Sequence, residues 1–323
     1  MGKQPGFLQK CAKVLLQCFW PQDPTDAIYE KATAAYQKYQ SSNNPQDLKF
    51  ALDNFEAVLA ARRAADGEHP QLAVTLTNYA AALWAHYETT GRPEADLRRV
   101  ISFNKEARDI WCKITPRPKG YPILLTNLGN AYFEAYCRDR NPDVFQKAIA
   151  AYEAVQDDET SNAQIRNTAL ARLGITLWTR CDLEKMNRRL DEGIDNLEKA
   201  LWVASNPPTN DNILRALCLA SLANAYDVRF QRFKQAEDLE HAIQYGDDAR
   251  SSPQASPSEH QASLYNLSRL LWARYQRMQN RDDLDGAETV AKEAQGMVGN
   301  GELKTKIDGI LKAMEVEKIN LAS

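Results

Sequence analysis

Few side chains in this chain are spaced for bond-making chemistry. The four histidines, His69, His86, His241 and His260, are too far apart for any two to share a helix face as metal ligands. Asp282-Asp283-x-Asp285 has the look of a magnesium site for a diphosphate. It also opens an apolar-periodic segment, where acids suit the positive end of a helix dipole. Asp157-Asp158-Glu159 reads as a solvated loop. There is no glycine-rich phosphate loop, no H-E-x-x-H and no G-x-S-x-G elbow. The six cysteines, Cys11, Cys18, Cys112, Cys137, Cys181 and Cys218, contain no C-x-x-C pair. They read as small hydrophobes on helix faces in a reducing, cytoplasmic compartment. These residues assign no catalytic set, no metal and no cofactor. Another set recurs in step: Trp84, Phe133, Trp178, Asp227 and Trp272 lie, by subtraction, 49, 45, 49 and 45 residues apart.

That register belongs to a longer pattern. Leu125–Arg138, LTNLGNAYFEAYCR, returns with variations at Thr75–Glu88, Ala169–Asp182, Ala220–Gln231 and Leu264–Arg277, and faintly near Ala32–Gln40. Each copy spaces apolar residues four and eight apart, one face of an α-helix. An aromatic column reads Tyr39, Tyr87, Tyr136, Cys181, Phe230, Tyr275. A second column reads Tyr79, Leu128, Leu173, Leu222, Leu267, and a small-residue column Ala80, Gly129, Gly174, Ala223, Ser268. Small residues let two helix axes approach closely. A second helical signature follows each copy, opened in several by Asp: Asp47-Leu48, Asp96-Leu97, Asp238-Leu239 and Asp283-Leu284. Such an Asp is expected to accept free backbone N–H groups at the helix start. The second helix carries its own small or β-branched column, Val58, Ala107, Val155, Ala200, Ala249, Ala294. The unit is a helix–turn–helix of about 47 residues, repeated six times, which implies a stacked array.

Leu128-Gly129-x-x-Tyr132 with Ala148-x-x-x-Tyr152 resembles the tetratricopeptide repeat, and Leu222-Ala223-x-x-Tyr226 follows its first half. The resemblance covers roughly residues 25–300. The unit departs from that family's 34 residues, as in the long-repeat form of fungal multi-repeat proteins. Armadillo and HEAT repeats have the right length but lack the Leu-Gly-x-x-Tyr order. The expected fold is an all-α, right-handed α-solenoid of six helix pairs. Its parts are an N-terminal amphipathic capping helix over 1–23, the array over 24–300, and a C-terminal capping helix over 301–323.

The resemblance also implies that the first helix of each pair lines the concave side. The ligand-facing positions would then be Trp84, Asn130, Phe133, Trp178, Asn224, Asp227, Tyr265, Arg269 and Trp272. Aromatics in register suggest an apolar binding groove, unless longer helices bury them between neighbours. Asp227 needs a partner there, with Arg269 and Asn224 as candidates. Arg180, Arg229 and Arg274, two past the tryptophan column, could clamp carboxylates or simply pair with acids of a neighbouring repeat. The expected role is a non-enzymatic scaffold for protein–protein interaction, holding a peptide segment or a partner helix. The alternative is an enzyme enclosing a hydrophobic small molecule, with Asp227 as acid or base.

Net charge is −3, so the overall balance does not point to nucleic acid. No apolar run reaches the roughly 18–20 residues of a membrane span. Phe7–Trp20 is amphipathic, with Lys10 and Lys13 off its apolar face. A cap on the first repeat, an internal ligand of the groove and a membrane-surface helix are its three readings.

Overall fold

The computed structural model describes residues 24–64, 69–179, 187–207, 210–252, 257–297 and 301–322. The helix expected over Phe7–Trp20, Arg180 and Cys181 fall outside them. The described residues form thirteen helices and no strand. In order these are α1 (Asp26–Ser42), α2 (Pro45–Ala64), α3 (Leu72–Thr89), α4 (Glu94–Trp111), α5 (Tyr121–Asp139), α6 (Pro142–Asp157), α7 (Ala163–Thr179), α8 (Asn187–Ser205), α9 (Asn212–Phe233), α10 (Ala236–Arg250), α11 (Pro257–Met278), α12 (Arg281–Gln295) and α13 (Gly301–Ala322). Two compact units divide the chain, Met1–Ala169 and Leu170–Ser323, with the boundary inside α7. The sequence alone suggests one unbroken array.

In the first unit α1 to α6 each pack on the next, and in the second α8 to α13 do. First helices of successive pairs also touch directly, α1 with α3 in the first unit and α9 with α11 in the second. The periodic columns are the reason. Tyr79, Leu128, Leu173, Leu222 and Leu267 are all buried, as are Val58, Ala107, Val155, Ala200, Ala249 and Ala294. Full burial of each leucine is worth about 1.5–3 kcal/mol. The small column sets the helix spacing. The ring of Tyr152 fills the notch over Gly129, where an added Cβ would lie 2.6 Å from Cε1. At Gly174 the same atom would lie 2.8 Å from the carbonyl oxygen of Gly193, so α7 and α8 meet backbone to backbone.

The turn inside each pair is also repeated. Asn43, Arg140, Lys234 and Gln279 take left-handed φ of 53–59° just past the first helix. Their N–H groups donate to the carbonyls of Tyr39, Tyr136, Phe230 and Tyr275, at 2.7–2.8 Å. In the second pair Arg92, at φ 60° and just after Gly91, donates instead five residues back, to Tyr87 at 3.0 Å. These αL caps satisfy orphan carbonyls. Asn43, Arg140, Lys234 and Gln279 are not glycine, so in those four turns the usual sequence sign is absent; among the described turns only the second pair shows it, in Gly91 at φ 84°.

The cysteines divide. Cys218 is buried, Cys137 half-buried, and Cys112 exposed past the end of α4, off any apolar face. Among the described residues no helix is long and apolar enough to cross a membrane.

Candidate ligand-binding faces on the first helices

The nine groove candidates fall into two groups, one in each unit. In the first unit α3 presents Trp84 and α5 presents Asn130 and Phe133, all partly exposed. Trp84 leans on Tyr87, with centroids 5.6 Å apart and planes at 37°. Asn130 is held by α6, its Oδ1 accepting the Tyr152 hydroxyl at 2.8 Å. The same tyrosine therefore fills the Gly129 notch and orients a surface amide.

In the second unit α7 carries Trp178, α9 carries Asn224 and Asp227, and α11 carries Tyr265, Arg269 and Trp272. Trp178, Tyr265 and Trp272 pack against the core and stay partly exposed. Each therefore has one side in the interior and one towards solvent. Trp272 stacks on Tyr275 at 5.3 Å. The Trp178 indole Nε1 is buried with no hydrogen-bond partner among the described residues. Asp227 is buried, and its Oδ2 accepts from Arg269 Nη2 of the next pair. Its Oδ1 accepts weakly from Gln231 Nε2 at 3.3 Å. Of the two partners expected for Asp227, Arg269 is the one engaged. Asn224 instead accepts from Asn266 Nδ2 at 2.9 Å. These contacts tie α9 to α11 and leave the aromatic edges open beside them.

The arginine ladder has internal partners. Arg229 Nε donates to Asp238 at 2.7 Å and its Nη1 to Asp191 at 3.3 Å. Burial works against its charge, yet the bonds to Asp238 and Asp191 outweigh that and raise its pKa. Arg274 binds both oxygens of Asp283, at 3.0 and 2.6 Å, and also Glu240. The bond to Asp283 is the first cause of its raised pKa. Each guanidinium thus joins its own second helix to the second helix of the pair before. Lys38 to Asp47, 2.9 Å, and His86 Nδ1 to Asp96, 2.6 Å, occupy the same place in the first two pairs.

Of the two readings of Arg229 and Arg274, pairing with acids is the one seen, within their own pair and with the pair before. One expectation is corrected: the Asp residues of the second helices do not cap backbone N–H groups. Each stands third in its helix and reaches back across the turn to the basic side chain. The side-chain caps among the described residues are Asn44, Asn141, Asn162, Asp211 and Asn280, which accept from the N–H groups of Gln46, Asp143, Ile165, Leu214 and Asp282. The missed signal was a basic residue just before the aromatic column, nine or ten residues ahead of an Asp. We expect Arg274→Ala to cost about 2 kcal/mol, since Asp283 stays buried and loses a two-pronged partner. Arg274→Lys should recover only part, a point charge replacing a fork. Urea unfolding of the three proteins measures this, and a cost below 0.5 kcal/mol for alanine (roughly the value of an exposed pair) would remove the assignment.

Stacked helix pairs, a small column at each crossing and first helices that touch their counterparts define the architecture. The fold is a tetratricopeptide-like helical array. No protein-family model matches the chain, and no curated protein matches it. Several solved structures resemble it. A putative kinesin light chain with nearly identical TPR-like repeats from Podosopora anserina is 19% identical, over 72% of this chain and 100% of that one, at TM-score 0.48. BtubC from P. vanneervenii is 13% identical over 85% and 92%, also at 0.48. The S. pombe nuclear import adaptor Nro1 is 14% identical over 93% and 99%, at 0.47.

Proposed function

We propose that this chain is a non-enzymatic interaction scaffold whose first helices hold a peptide segment or a partner helix. Stacked repeats present extended surfaces of that kind. The observation that carries the reading is the state of the aromatic column. Trp178 and Trp272 are anchored by the core yet partly exposed. A rigid aromatic held in this way offers apolar area at low entropic cost. Trp84 and Phe133 offer apolar area in the first unit, and Asn130 an amide. Asp227 and Arg269 are engaged with each other, which suits a polar anchor within an apolar face.

Selection from a displayed random twelve-residue peptide library, followed by fluorescence anisotropy of the selected peptides, tests this. We expect Trp84→Ala or Trp272→Ala to weaken some of these peptides by at least about tenfold, the usual scale of a hot-spot residue. Asp227→Ala and Arg269→Ala should also weaken them while the circular dichroism keeps its helical form. Failure to select any peptide would defeat the proposal, as would affinities that none of these four substitutions changes.

A further inference from the structure

From α4, α10 and α12 one row of side chains reaches back to the second helix of the pair before. Counted from Asp96, Asp238 and Asp283, the row takes steps of three, seven and ten, which share one helix face. On α4 it is Arg99, Phe103 and Glu106. Arg99 donates to Glu56 of α2 at 3.3 Å, Arg63 of α2 lies over the Phe103 ring at 5.8 Å, and Glu106 accepts from Arg63. On α10 the matching Tyr245 donates to Glu198 of α8 at 3.3 Å. On α12 the matching Glu293 accepts from Arg250 of α10 at 2.6 Å.

On α2 the same count from Asp47 gives Phe50, Asn54 and Ala57. No second helix precedes α2 among the described residues, and this row is open. Phe50 is 52% exposed, Ala57 is exposed and Asn54 is half-buried, whereas the matching Phe103 and Val290 are 8% and 2% exposed. The open face continues on α1. Asn78 and Asn266 reach back from α3 and α11 to Tyr29 and Asn224 of the first helix before. The residue at that place on α1, 48 before Asn78 as Tyr39 is before Tyr87, is Glu30. Glu30 is exposed and has no ion-pair partner among the described residues. Ala27 and Ala34, on the same side of α1, are exposed too. This end of the first unit is thus apolar, one phenylalanine and three alanines around a single carboxylate.

We infer that this end face is the seat of the chain's own Phe7–Trp20 segment, laid across α1 and α2 with its apolar side down. That stretch carries Phe7, Leu8, Cys11, Leu15, Cys18 and Phe19 at helical spacing, with Lys10 and Lys13 off that side. Its tether is short and starts from a fixed point. Thr25 and Asp26 are held by Arg62, at 2.9 and 2.6 Å. Only the five residues Pro21–Thr25 separate Trp20 from α1, and they span at most about 17 Å. That is less than the roughly 25 Å length of α1, with its 17 residues. The tether confines the segment to the neighbourhood of the first pair. Phe50 is the one large apolar side chain exposed among the described residues of that pair. The apolar side of the segment covers Phe50 and the alanines, an end that a stacked array otherwise leaves open to water. Lys10 or Lys13 then meets Glu30. The inference goes beyond the peptide-binding reading and does not depend on it. A segment seated here leaves the faces of Trp84 and Trp178 free for a partner.

Cys11 and Cys18 report on the seat directly. In the full chain, alkylation by iodoacetamide is followed by mass spectrometry, cysteine by cysteine. Both should react more slowly than Cys112, which is exposed. Phe50→Asp should speed both about tenfold, the scale of losing half a phenylalanine's burial. Ala57→Glu, a second change on the same face, should act alike. Phe50→Leu, which stays apolar, should change the rates less than about threefold. Cys112 should keep its rate throughout, and the circular dichroism its helical form. Rates of Cys11 and Cys18 that ignore both Phe50→Asp and Ala57→Glu overturn the inference. So do rates that respond to Trp84→Ala instead, which put the segment on the inner face. Protection that fades on dilution puts it on a second copy, and protection gained only with phosphatidylserine vesicles puts it on a membrane; either overturns the seat. None of these readings uses a selected peptide. Failure here therefore leaves the scaffold standing, and failure to select peptides leaves the seat standing.

Discussion

Arg62→Ala is expected to destabilise the first unit by about 3–4 kcal/mol, near the lower end for breaking a buried charged pair. Arg62 is 1% exposed and is the largest fully buried side chain described. Its Nε donates to the Thr25 hydroxyl at 2.9 Å. Nη1 donates to the Thr75 hydroxyl at 2.6 Å. Nη2 donates to Asp26 at 2.6 Å and to Gln71 Oε1 at 2.8 Å. The guanidinium also lies over the Tyr29 ring, 4.9 Å from its centre. One side chain on α2 therefore gathers the start of α1, the turn before α3 and the first turn of α3. Alanine removes the charge, leaves Asp26 and Gln71 without that donor, and opens a void the length of the side chain. The lower end of the range is chosen because Asp26 keeps 31% of its side-chain exposure and water can rescue it. Arg62→Met restores bulk without the donors and should fall between. Two units unfold without a guarantee of one transition. The measurement is therefore urea unfolding together with amide exchange resolved to α1–α3. A loss below 1 kcal/mol, or one felt equally in α9–α12, would show that Arg62 is a passenger.

Gly174→Val should cost the second unit about 3 kcal/mol or more, at the upper end of overpacking penalties. The reason is the identity of the atoms in the way. A Cβ at Gly174 meets the Gly193 carbonyl oxygen and the Leu197 Cγ, both at 2.8 Å, and a Cβ at Gly193 meets the Gly174 oxygen at 3.0 Å. Backbone cannot rotate aside, so α7 and α8 must separate and the layer of Leu173, Leu177, Leu190 and Leu197 loosens with them. Gly174→Ala should lose less, about 1–2 kcal/mol, because alanine's better helix propensity returns about 1 kcal/mol. Gly129→Ala supplies the contrast. Its obstacle is the Tyr152 ring, so Gly129→Ala with Tyr152→Leu should be more stable than the sum of the two changes predicts. No comparable side-chain change should rescue Gly174→Ala. A double-mutant comparison by urea unfolding decides this, and additive costs at Gly129 would refute the notch.

Read residue by residue, the amino-acid order determined the helices, their pairing and the faces they bury. Tyr79, Leu128, Leu173, Leu222 and Leu267 recur because the same helix crossing recurs, and burial depends on period alone. Gly129 and Gly174 were legible for the same reason, since a close crossing tolerates nothing larger. The period does not say which polar groups meet. The Asp residues of the second helices looked like caps and proved to be staples to Lys38, His86, Arg229 and Arg274, because standing third in the helix aims them across the turn. Arg62 continues the Phe55, Val58, Leu59 stripe, a clue that an arginine beside Arg63 disguises. Tertiary structure decided these matters, since a hydrogen bond needs two groups within about 3 Å and the chain brings together residues separated by tens of positions.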